Sequence, residues 1–144
     1  MRTMLVLAAL AAALLVAGPA SAKVKKLEAN LSGANEMPAA DPDGAGTAKL
    51  RLNAAKKKVC YTIKVRDIGT AAAAHIHKGG KKVASGNIVV PLFNSPQQGT
   101  RFTGCVTAKK KLIRAILKRP RGYYVNVHTA DFPAGAIRGQ LHKP

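Results

Sequence analysis

Three histidines carry most of the chemistry this sequence offers. His75 and His77 flank Ile76 in Ala74-His75-Ile76-His77-Lys78-Gly79, and His128 stands far along the chain in Asn126-Val127-His128-Thr129. On a strand, residues i and i+2 point to the same face. Two imidazoles so placed are a usual first half of a zinc or copper site, each giving a neutral ring nitrogen. A sandwich could bring His128, on a different strand, beside them. No cluster of Asp, Glu or Cys supplies an evident fourth ligand, which leaves that position to water or open. The competing reading is that the rings only hydrogen-bond to backbone or carboxylate groups. His142, near the C-terminus, is expected to be exposed.

Other chemistry is sparse. Ser85 and Ser95 fall in loops, and no Gly-x-Ser-x-Gly, Cys-x-x-Cys or phosphate-cradling Gly-rich motif is present. No catalytic residue is therefore assigned. Glu36, in Gly33-Ala34-Asn35-Glu36-Met37-Pro38, and Arg138, in Ile137-Arg138-Gly139-Gln140-Leu141, are charged residues in unusual company. One reading pairs them, tying the first strand to the last; in the other, the arginine is exposed and unpaired. With Asn126 they are candidates for a structural polar network.

The elements that must position these residues are strands. Period-two alternation recurs at Lys49 to Leu52, Val59 to Val65, Phe102 to Ala108 and Tyr123 to His128, with a short final run from Ile137 to Leu141. Val89-Val90-Pro91-Leu92 is apolar, and its proline implies an edge or a bulge. Gly, Pro and Asn signals at 38–46, 53–58, 78–86, 94–99 and 131–135 mark turns. Short strands at this spacing predict an antiparallel sandwich or barrel. Lys109 to Lys118 differs: Leu112, Ile113, Ile116 and Leu117 recur at helical spacing and the pattern stops at Pro120, which predicts one short helix.

The N-terminus reads as an export signal. Arg2 gives a positive start, Met4 to Gly18 carries no charged or polar side chain, and Ala20-Ser21-Ala22 ends the segment with small residues. The apolar run is about 15 residues, short of the roughly 20 that span a membrane. Residues 1–22 are expected to be a cleaved signal peptide, leaving one domain over 23–144 with no later membrane segment. A secreted, periplasmic or outer-envelope location follows. Outside the cytosol, Cys60 and Cys105 are expected to form a disulfide, for which the chain-entropy model allows about 4 kcal/mol.

The whole chain has 24 Lys and Arg against 6 Asp and Glu, net +18. Removing Arg2 with the leader lowers this by one, to +17. Such charge favours anionic partners, and export directs the expectation to an anionic envelope or matrix component or a protein partner. Nucleic acid is disfavoured, because no aromatic residues interleave with the basic clusters to stack bases. Most clusters fall in turns, where solvated lysines also aid solubility and block edge pairing.

Five motifs in order resemble the CHRD domain, named for chordin. They are Ser32 to Pro38, the Gly44-Ala45-Gly46 turn, Ala74 to Gly79, Tyr124 to Thr129 and Phe132 to Leu141. The resemblance runs from about Leu27 to Leu141. It implies an immunoglobulin-like, Greek-key β-sandwich, as found in small exported bacterial single-domain proteins. It also implies a distant likeness to copper/zinc superoxide dismutase, in which His75, His77 and His128 match copper ligands. A bridging histidine, further zinc ligands and an acidic loop are missing. The chain also has Asn87 where proline is usual and Ala136 where glutamate is frequent.

Two functions follow. The first is a non-catalytic binding or structural module at the envelope or outside the cell. The second is a copper- or zinc-binding protein. The first is favoured on sequence alone, because supporting ligands for a metal are not evident.

Overall fold

Each alternating run forms a strand in the computed structural model, which describes residues 23–144. The expected leader, 1–22, lies outside the described residues. The strands are β1 (Lys25–Ser32), β2 (Ala45–Asn53), β3 (Lys58–Arg66), β4 (Ala71–Lys78), β5 (Asn87–Phe93), β6 (Arg101–Thr107), β7 (Tyr123–Thr129) and β8 (Ile137–Gln140). One helix, α1 (Lys110–Lys118), stands where the helical spacing placed it, and short 3-10 turns occupy Gly33–Asn35 and Pro120–Gly122. Among the described residues no helix is long and apolar enough to cross a membrane.

All strand pairs are antiparallel, in the order β5-β4-β7-β8-β1-β2-β3-β6. The halves β5-β4-β7-β8 and β1-β2-β3-β6 meet at a narrow seam. There β8 and β1 pair only through Ser32 and Arg138, with a bridge from Glu28 to His142 beside it. The halves fold over one core, and the connections β3 to β4, β5 to β6 and β6 to β7 each pass from one half to the other. This is the expected all-β Greek-key sandwich.

Alternation assigns the inner faces. Leu27, Ala29, Leu31, Leu50, Leu52, Val59 and Ile63 from one half meet Ala74, Ile76, Val90, Leu92, Val125, Val127 and Ile137 from the other in one buried cluster. Ile113 and Ile116 of α1 are fully buried in it too, each burial worth about 1.5–3 kcal/mol. The helix ends at Arg119, because Pro120 disfavours helical geometry in the residue before it.

Pro91 lies on β5, at one end of the strand order, opposite His75 and next to a register shift between Ala74 and His75. It is both an edge proline and a neighbour of a bulge. Cys60 and Cys105 face each other across β3 and β6 and are bonded, with Cα atoms 3.9 Å apart. The bridge fastens β6, the strand at the other end of the order.

Candidate metal centre

The face of β4, β7 and β8 turned away from the core carries the polar residues. On β4 it presents His75 and His77; on β7, Tyr124, Asn126 and His128; on β8, Arg138 and Gln140. Register sets them in rows: His75 opposite Asn126, His77 opposite Tyr124, Asn126 opposite Arg138, and Tyr124 opposite Gln140. His128 is opposite Ala73, so it lies diagonal to His75.

An outward face is ordinarily wet, yet His75 is 8% and His77 7% exposed. Loops cover it. Arg138, 2% exposed, gathers them by donating from Nε to the Asn35 carbonyl (2.7 Å) and from Nη1 to that of Val83 (2.9 Å). Its Nη2 donates to the Lys81 carbonyl (3.1 Å). Its guanidinium also stands 4.5 Å from the centre of the Tyr124 ring, a cation–π contact. Glu36 is its ionic partner, at 3.9 Å from Nε. That separation is long for a hydrogen bond, so the carbonyls hold the arginine more than the carboxylate does. The reading of an exposed, unpaired arginine is thereby excluded.

Each triad ring is held at one nitrogen by a carbonyl or amide oxygen, and His128 Nε2 also lies 3.1 Å from the Asn126 side-chain amide. His77 Nδ1 lies 2.7 Å from the Gly86 carbonyl and His128 Nδ1 3.0 Å from the Pro133 carbonyl. A carbonyl only accepts, so both Nδ1 atoms carry the proton and both Nε2 atoms keep a lone pair. His75 Nε2 lies 2.7 Å from Asn94 Oδ1, which by the same logic leaves its Nδ1 free. The three ligand atoms lie within 4.8 Å of one another, and His75 Nδ1 and His128 Nε2 are 3.0 Å apart. The sequence reading thus named three residues that the fold brings to one point, and the cluster could hold a metal ion.

The environment disfavours charge on His77 and His128. Burial lowers the His77 pKa, the Gly86 carbonyl and the Asn126 side chain opposing it and the nearby His75 and Arg138 charges adding to it. Burial likewise lowers His128, against the Pro133 hydrogen bond and with His75 and His77 adding. His77 Nε2 is buried with no hydrogen-bond partner among the described residues, and so is Glu36 Oε1. Desolvation raises Glu36 to about 7 despite the opposing Arg138 charge. A cavity of about 370 Å³ lies beside both, lined also by Asn126, Pro133 and Gly135. Gly135 has φ +140°, which favours glycine, and a Cβ there would also push against the Glu36 carboxylate.

The sequence model of the CHRD domain matches residues 27–141. The chain belongs to the CHRD family. Neither a curated protein nor a solved structure matches it. The CHRD motifs converge on one place in the fold: Ala74 to Gly79 and Tyr124 to Thr129 supply the rings. Ser32 to Pro38 and Phe132 to Leu141 supply the cover and its arginine.

Sequence reasoning missed three contributors. Asn94 was visible only as a turn residue. Tyr124 stacks on His77 with centroids 4.8 Å apart and planes at 4°, and its hydroxyl accepts from the Gly86 amide at 3.0 Å. Its i, i+2, i+4 relation to Asn126 and His128 was the available signal. Gln140 fastens the carbonyls of Gly79, Arg121 and Tyr123. His142 is half-buried rather than exposed, because its backbone pairs in both directions with Glu28.

Proposed function

We propose that this CHRD domain binds a single copper or zinc ion through His75 Nδ1, His77 Nε2 and His128 Nε2, as an exported, non-catalytic metal-holding module. The observation that carries this reading is the direction of the lone pairs. Two carbonyls and one side-chain amide hold the outer nitrogens, which is how ligating histidines are oriented in metal sites. Three imidazoles without thiolate or carboxylate suit copper and zinc, and a fourth position stays open to water. The missing supporting partners, the reason to prefer a plain binding module on sequence, are the loop carbonyls that no spacing rule reveals. Bound metal would supply Lewis acidity or a redox centre there; the chain's own part is to orient the rings and exclude bulk water.

One observation favours a second reading. If the Asn94 amide presents its nitrogen, it donates to His75 Nε2, and His75 Nδ1–H then donates to His128 Nε2 at 3.0 Å. The triad then closes as a polar network within a structural module, still leaving His77 Nε2 unpartnered. Export is supported by the leader pattern of 1–22 and by the Cys60–Cys105 disulfide.

The purified 23–144 domain, titrated with copper and with zinc, decides between the two. One equivalent bound, and lost in both His75→Ala and His128→Ala while the metal-free variants keep the parental fold, is the expected result. Absence of micromolar affinity for either ion would leave the polar network as the account of the triad.

A further inference from the structure

A basic cleft lies at the other end of β7, away from the histidine triad. Arg119, Arg121, His142 and Lys143 line a cleft of about 490 Å³ together with Pro120 and Gly122. No acidic residue lines it. Among the described residues the side chains of Arg119, Arg121 and Lys143 make no ion pair. Glu28, whose backbone pairs with His142, turns its carboxylate to Lys49 across the β1–β2 pair, at 3.4 Å. Uncompensated cations around a concave surface raise the local concentration of anions.

The cleft's frame is held in place. The two N–H groups of Gln140 Nε2 are shared among the Gly79, Arg121 and Tyr123 carbonyls, at 2.7, 2.7 and 2.8 Å. The Gly79 amide donates to the Gly122 carbonyl at 2.8 Å, and the Gly122 amide to that of Arg119 at 3.0 Å. On the facing side, His142 is fixed by its two backbone bonds to Glu28, and its Nδ1–H donates to the Lys143 carbonyl at 2.9 Å. That bond leaves His142 Nε2 free. Two arginine forks on a fixed turn suit a tetrahedral oxyanion better than scattered lysines do, because the fork matches two of its oxygens.

We propose that this cleft binds a phosphate group, with Arg119 and Arg121 as its forks and Lys143 and His142 opposite. It names residues for the anionic partner that the net charge alone only implied. The test follows backbone amide shifts of isotope-labelled 23–144 during titration with sodium pyrophosphate at constant ionic strength. Saturable shifts centred on Arg119, Gly122, His142 and Lys143 are expected. Arg119→Ser/Arg121→Ser should weaken binding about tenfold or more, whereas Lys56→Ser/Lys58→Ser, an equal loss of charge elsewhere, should change it less than about twofold. Vesicles of phosphatidylglycerol, set against phosphatidylcholine, separate a lipid headgroup from a soluble phosphate, and binding in either arm that needs the arginines supports the cleft. Shifts spread over all basic loops, no saturation, or equal weakening in both double variants would overturn it.

Discussion

Replacing Arg138 with methionine tests whether the loop cover is held by one side chain. The change keeps a long apolar stem and removes every donor. It leaves the Asn35, Lys81 and Val83 carbonyls, now bonded at 2.7, 3.1 and 2.9 Å, without their partner. An orphaned buried acceptor costs about 1–3 kcal/mol. Val83 is 38% exposed, so part of this loop can turn to water and the low end of the range applies. The total is then about 3 kcal/mol. A domain of about 120 residues has an unfolding entropy near 0.25 kcal/mol/K, so the Tm should fall by about 12 °C. Arg138→Lys should recover at most one of the three bonds, because an ammonium cannot reproduce the fork. Thermal unfolding of metal-free protein, followed by circular dichroism, reads the effect. A fall under about 4 °C would mean that the carbonyls are satisfied without the arginine, and the account of the cover would fail.

Further outcomes follow from the same geometry. A carboxyl whose folded pKa lies above its unfolded one binds more protons when folded, so Glu36 makes stability decline as pH rises from 4.5 to about 7. Glu36→Gln should gain on the parent across that window in denaturant titrations; a constant difference would refute the shift. His77 and His128 titrate below the usual 6.5, so metal should be retained in dialysis somewhat below that pH; release above it would contradict the neutral rings. Reducing Cys60–Cys105, or changing both to serine, should cost up to about 4 kcal/mol in urea unfolding, and no loss would show that the β3–β6 pair needs no fastening.

The sequence made the strands legible because one buried face imposes period two, and α1 legible because Leu112, Ile113, Ile116 and Leu117 follow a helical stripe. It also placed His75 and His77 on one face by the same rule. What it concealed is that this outward face is covered. The covering segments, 35–38, 81–84 and 132–135, have no periodicity, and their contributions are backbone carbonyls that every residue possesses. A Glu36–Arg138 pair was one of two readings the sequence left open, and the arginine's main acceptors belong to Asn35, Lys81 and Val83. No residue type announces those. Asn94 likewise looked like any turn asparagine, and only the register of β4 against β5 sets it beside His75.

X-ray absorption at the metal edge of copper- or zinc-loaded 23–144 tests the central claim most directly. Three imidazole nitrogens at about 2.0 Å, with the ring multiple-scattering pattern, are expected, reduced to two in His77→Ala. A first shell of oxygens alone, or one unchanged in His77→Ala, would contradict it.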